Sequence, residues 1–242
     1  MNRRTKTVKH SLAVIITSLL PCISSAPLHA DASSTNSFYL PYVQQLEKEI
    51  EYQLFYLPAD NRRQLHQLAY GQSLSDNLAI EIGVAVDKEK GQRAGYEAFE
   101  LELLWQLTEQ GEFAWDWALL LEAEHEKEDK ANELALALIT AREWGRWTTA
   151  SNLYLIYENS DSRRSELETA LALQAGYRLS PHIEPALEFF AGQGVRTLGP
   201  VLGGLVRLSG ARKLRWQTAL LFGLDDDSSP TTWRLQLEYE FF

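Results

Sequence analysis

The sequence holds one cysteine and one methionine in 242 residues. A single cysteine cannot close a disulfide within the chain, so a disulfide-stapled framework is excluded. Basic side chains are also scarce: 23 Lys and Arg stand against 33 Asp and Glu, a formal net charge of -10. Such a chain repels phosphate, which argues against a nucleic-acid partner. Past residue 20 no apolar run approaches the ~18 residues that a membrane-crossing helix needs. Catalytic and ligand motifs are missing too. There is no G-x-S-x-G and no EF-hand spacing, and Gly192-Gln193-Gly194 opens no strand-to-helix phosphate loop. What is abundant is apolar: 45% of residues are hydrophobic and 11% aromatic, far too many for a disordered chain.

Residues 1–32 read as a cleaved secretory signal. Arg3, Arg4, Lys6 and Lys9 form a basic start, Leu12 to Leu20 a short apolar core, and Ala30-Asp31-Ala32 a small-residue cleavage site. The rival is a lipoprotein anchored through Cys22, which Pro21 disfavours by standing where a small residue is required. Cleavage would remove the only cysteine, those four basic side chains and Asp31, leaving a chain still more acidic. A cysteine-free exported chain fits the periplasm or the outer membrane of a Gram-negative cell. Residues 33–46 are expected to form a periplasmic N-terminal segment, and 47–242 a single domain.

From there one rhythm holds. Apolar and polar residues alternate with period 2, which predicts strands with one apolar and one polar face. Twelve segments follow: 47–57, 63–73, 77–87, 95–108, 113–124, 132–142, 145–158, 164–179, 182–192, 199–209, 212–223 and 231–242. Tight connections (Ser75–Asn77, Glu109–Gly111, Glu143–Gly145, Ser180–Pro181, Ser209–Ala211) alternate with longer ones (58–62, 87–93, 124–130, 158–164, 192–199, 224–230). That is the connectivity of an all-β, 12-stranded antiparallel up-and-down barrel with its tight turns at one end.

Two barrels can carry such strands. A soluble one buries the apolar face, whereas a transmembrane one turns it to lipid and lines the lumen with polar groups. Aromatics favour the second. With both termini in the periplasm, Trp105, Trp115, Trp117, Trp147, Tyr177, Trp216, Tyr239 and Phe241 fall at the periplasmic strand ends. Tyr56, Phe99, Tyr157, Phe222 and Trp233 fall at the outer ends. Two girdles around an aliphatic band are what the two membrane interfaces select.

The closing run, LGPVLGGLVRL (198–208), LRWQTALLFGL (214–224) and SSPTTWRLQLEYEFF (228–242), looks like a barrel-assembly signal, with Phe242 one residue beyond the in-phase Phe241. With the E-x-E pairs Glu100/Glu102 and Glu122/Glu124, it resembles the exported barrels grouped with the MetA pathway of phenol degradation. The resemblance implies a Gram-negative outer-membrane barrel with a transport role, and it transfers no catalytic residue and no substrate.

No cofactor, metal or catalytic site is expected. His66, His125 and His182 lack a matched serine and carboxylate. That leaves an outer-membrane lipid hydrolase as the weakest reading. The acidic stretches 122–129 and 225–227 could hold divalent ions but read as solvated loops. Candidate lumen-lining acids are Glu49, Glu51, Glu81, Glu100, Glu102, Asp116, Glu122, Glu133, Glu166, Glu168, Glu184, Glu188, Glu238 and Glu240. The candidate bases are Arg146, Arg178, Arg207, Arg215 and Arg234. Two readings compete. A wet acidic lumen would pass small solutes and prefer cations. A closed lumen would be knitted by Glu–Arg pairs, with acidic loops turned outward as an interaction surface. The acids outnumber the bases, which favours water. The expected partners are the lipid bilayer, lipopolysaccharide and, through the C-terminal strand, the outer-membrane assembly machinery.

Overall fold

A computed structural model describes residues 38–127, 131–160 and 165–242. The signal segment 1–32 lies outside the described residues. The twelve strands are β1 (Lys48–Leu57), β2 (Arg63–Ser73), β3 (Leu78–Lys88), β4 (Gly95–Gln106), β5 (Asp116–Glu126), β6 (Asn132–Trp144), β7 (Trp147–Asn159), β8 (Glu166–Tyr177), β9 (Glu184–Gly192), β10 (Val195–Arg207), β11 (Lys213–Gly223) and β12 (Thr231–Phe241). Each pairs antiparallel with its sequence neighbours, and β1 pairs with β12 from Lys48↔Phe241 to Tyr56↔Trp233, so the sheet is a closed barrel. Closure satisfies the N–H and C=O groups that an open sheet edge would leave bare. Both chain ends meet at one rim, here the terminal rim; the other is the far rim.

Period 2 explains the faces. In β6, Leu134, Leu136 and Leu138 are exposed while Ala135, Ala137 and Ile139 are buried. In β4, Phe99 and Leu101 are exposed while Glu100 and Glu102 are 3% and 5% exposed. The leucine rows therefore face out and the glutamates in, the reverse of a soluble barrel. Trp105, Trp115, Trp117, Trp144 and Trp147 project outward near the terminal rim, where Trp147 meets Tyr177 edge-on at 4.9 Å and Tyr239 stacks on Phe241 at 5.7 Å. Arg142 lies over Trp115 and Trp144, at 5.7 and 5.5 Å from their ring centres. Trp216 is half-buried, and Trp233 marks the far rim beside Tyr56.

Two connections depart from the sequence expectation. The expected long loop 192–199 is a two-residue turn, with Gln193 and Gly194 at φ 49° and 74° and Val195 already paired with Gly192. Those two positive φ angles suit the twist of a hairpin. The strand was hidden in sequence by Gly199-Pro200, where the β10–β11 ladder is interrupted without a change of register and β11 backbone comes so close that a Cβ at Gly199 would collide with Leu220. Proline, with no N–H to donate, is tolerated at such an irregularity. Conversely, the expected tight turn at 109–111 is part of a longer connection, 107–115, that carries Trp115.

Candidate functional site: the barrel interior

Inward residues on adjacent strands form rows along the hydrogen-bond register. One row runs Glu238, Glu51, Ala69, Gly83, Glu100, Glu124, Glu133, Glu158, Glu166. Its neighbour runs Glu240, Glu49, Gly71, Glu81, Glu102, Glu122, Ala135, Ile156, Glu168. Strand tilt makes these rows climb. Glu238 and Glu51 sit near the terminal rim, Gly83 and Glu100 at mid-strand, and Glu158 and Glu166 at the far rim. Carboxylates thus follow the wall from one mouth to the other. Small residues make room for them: a Cβ at Gly83 would come within 3.2 Å of Glu100 Oε2.

Bases gather at the row ends. Arg215 reaches Glu238 at 3.3 Å and Glu240 at 3.0 Å, and Lys213 reaches Glu240 at 2.6 Å. Arg178 pairs instead with Glu143 (3.1 Å) and Glu184 (3.8 Å), and Arg207 and Arg146 are exposed at the terminal rim. Glu166 is exposed at the far rim. Arg234 crosses the interior: it is 1% exposed and donates to both oxygens of Glu188, at 2.8 and 2.7 Å, and to Gln217 at 2.7 Å. Among the described residues Glu81, Glu100 and Glu102 face no basic partner; Gln67 donates to Glu100 and the Tyr39 hydroxyl to Glu102 at 2.6 Å.

Beside and between these carboxylates, the wall of β5–β9 is apolar. Leu120, Ile139, Tyr154, Ile156 and Phe190 form a buried cluster with alanines of β5–β8. These residues were not singled out from the sequence. The signal was there: Leu119-Leu120-Leu121, Leu153–Ile156 and Phe189-Phe190 break the alternation because both faces are apolar.

Residues 38–46, read from the sequence as a segment ahead of the barrel, lie within it. Phe38 and Tyr39 pack on the apolar cluster. The Asn152 carboxamide, turned to donate to Tyr39 O (3.1 Å) and accept from Tyr39 N (2.8 Å), holds its main chain. Nearer the rim, Tyr42 donates to Asp116 (2.9 Å), Val43 N–H to Gln106 (2.6 Å), Gln45 to Asp76 (2.5 Å), and Lys213 to Gln44 (2.8 Å). Burial first, then Asp116, raises the Tyr42 phenol above its ordinary range, so it stays a neutral donor. At the segment's end, burial and the neighbouring Glu240 push the Glu47 carboxyl up to about 8. A cavity of about 780 Å³ remains beside this segment, lined by Tyr39, Tyr42, Glu49, Glu81, Glu102 and Arg215 among others.

The three histidines among the described residues are engaged elsewhere: His66 with Tyr52 OH at 2.8 Å, His125 with Asn132 at 2.9 Å, and His182 with the Leu205 carbonyl at 2.9 Å.

No protein-family model matches the chain, and no curated protein matches it in sequence. Solved structures do match in fold. A KdgM porin in complex with disordered oligogalacturonate superposes with a TM-score of 0.57 at 10% identity, covering 80% of this chain and 99% of that one. The NanC porin superposes at 0.56 with 6% identity, over 80% and 99%. The β-domain of the Bordetella autotransporter BrkA gives 0.52 at 12% identity, over 81% and 98%. The chain therefore has the closed antiparallel barrel fold of outer-membrane porin-like proteins.

Proposed function

We propose that this chain is a passive outer-membrane channel for small solutes, with a preference for cations, exported by its N-terminal signal and inserted with both termini in the periplasm. The climbing carboxylate rows carry this reading. Like charges directly opposed across strands destabilise a sheet, and buried unpaired charge costs more. Rows of this length persist where the carboxyls share protons or where water and mobile cations screen them; the channel reading takes the second, in which a wall lined with one sign of charge concentrates ions of the other. The exposed leucine band and paired girdles support membrane insertion. The same charge pattern would repel a polyanion such as the oligogalacturonate held by the KdgM porin, so the shared fold would serve a different solute. The histidine contacts support a non-enzymatic role. The resemblance to the MetA-pathway barrels is matched by no family model and names no solute.

Planar-bilayer recording under a KCl gradient tests the reading. The reversal potential is expected on the cation side and is expected to shrink in Glu100→Gln/Glu102→Gln. Anion selectivity would defeat it. Arg234–Glu188 favours a second reading, a closed barrel that presents the acidic loops expected at 87–93, 124–130 and 224–228 to partners or divalent ions, though Glu124 itself lies inside β5. Absence of conductance under every condition would select that reading.

A further inference from the structure

We propose that residues 38–46 are a tethered gate that sits in the lumen at rest and leaves through the terminal rim to open the conduit, with Leu46 as its hinge. The proposal rests on the channel reading above.

The way the segment is held supports it. Residues 38–46 enter no β-ladder, so they can depart without unzipping the barrel. Phe38 and Tyr39 pack on the apolar cluster, and the rest of the hold comes from hydrogen bonds spread around the circumference, to Glu102 and Gln106 on β4, Asp116 on β5, Asn152 on β7, Asp76 in the β2–β3 turn and Lys213 on β11. The segment therefore lies across the lumen, and its bonds to Asp76 and Lys213 are exposed and exchangeable with water. The residues that fill the lumen also line the remaining cavity, so removing them joins the cavity to the space they occupy.

The hinge points the same way. Leu46 has φ 62° and is 74% exposed. A leucine in the left-handed region is strained, and here it gains no burial in return. Glycine would hold a permanently seated turn at lower cost. A leucine at this position is relaxed when the segment swings out and φ returns to the ordinary range. Immediately after it, Glu47 N–H donates to Gln44 O at 3.2 Å, closing the turn that must open.

The test uses single-channel recording with three forms: wild type, a variant lacking residues 38–44, and Tyr42→Cys/Asp116→Cys with and without a bis-maleimide bridge. Folding of each is checked by heat-modifiable gel migration. The deletion is expected to raise conductance several-fold and abolish closures, and bridging to hold the barrel closed while the unbridged variant still gates. Leu46→Gly should lengthen the closed dwell. Should the deletion not fold, Tyr39→Ala/Tyr42→Phe replaces it, with the same expected rise. Equal conductance in bridged, unbridged and opened forms overturns the gate and leaves the channel standing. No current even from the folded, deleted barrel overturns the channel reading and the gate with it.

Discussion

Arg234 and Glu188 are both almost fully buried and bonded through two parallel contacts across the span from β12 to β9. Removing one partner leaves the other charge stranded, which costs about 3–5 kcal/mol. Arg234→Ala should therefore lower the urea midpoint of the barrel, read as loss of the heat-modifiable band. Arg234→Met/Glu188→Leu should recover most of that loss, because no charge is left uncompensated. Glu47 makes a pH-dependent contribution. Its carboxyl is raised from 4.5 to about 8 by burial and then by Glu240. A group held protonated in the folded state contributes stability that is complete below its unfolded value and lost as pH rises through the folded one. The turn at 44–47 should thus be tighter at pH 5 than at pH 9, measured as slower proteolysis within 38–46. Glu47→Gln should flatten that dependence.

At the scale of the strand, the two faces make opposite predictions for one substitution. Leu138 lies at the centre of β6 and faces outward, 37% exposed. An arginine on the lipid face at mid-membrane depth costs roughly 2–4 kcal/mol, so Leu138→Arg should lower stability in phospholipid vesicles by about that amount. Gln236 on β12 faces inward, beside the cavity and one step along the strand from Glu238. Gln236→Arg should be close to neutral there and should reduce cation preference. If the two variants behaved alike, the face assignment would fail. Gly199 tests a different feature of the strand. Its missing side chain lets β11 backbone approach β10 where the ladder is interrupted, so Gly199→Ala should slow barrel assembly, measured by the rate at which the folded band appears on refolding into detergent.

Over the whole molecule, the interior is neither uniformly acidic nor uniformly packed. Glutamate rows climb from β12 and β1 round to β8, and an apolar cluster around Tyr154 and Phe190 occupies the neighbouring wall of β5–β9, with the N-terminal segment packed on it and bonded to Glu102. The KdgM and NanC porins share the architecture at 10% and 6% identity, so the likeness extends to the fold and leaves the inward side chains of this chain its own.

Strand number, closure and the outward turn of the leucines were legible in the sequence, because period-2 patterning depends only on local backbone geometry and a one-residue slip would invert every face. β1–β9 fall within a few residues of the expected segments for that reason. The start of β10 was obscured because Gly199-Pro200 reads locally as a break, while in the barrel its neighbours on β9 keep the strand paired. The candidate glutamates were identified one by one, but their alignment into climbing rows required the register of neighbouring strands, which strand-local patterning does not encode. The course of residues 38–46 was likewise decided by tertiary structure alone. The run FYLPYVQQL carries no strand periodicity, and only the closed barrel creates the space, the apolar wall and the carboxylates of Glu102 and Asp116 that draw Tyr39 and Tyr42 inside.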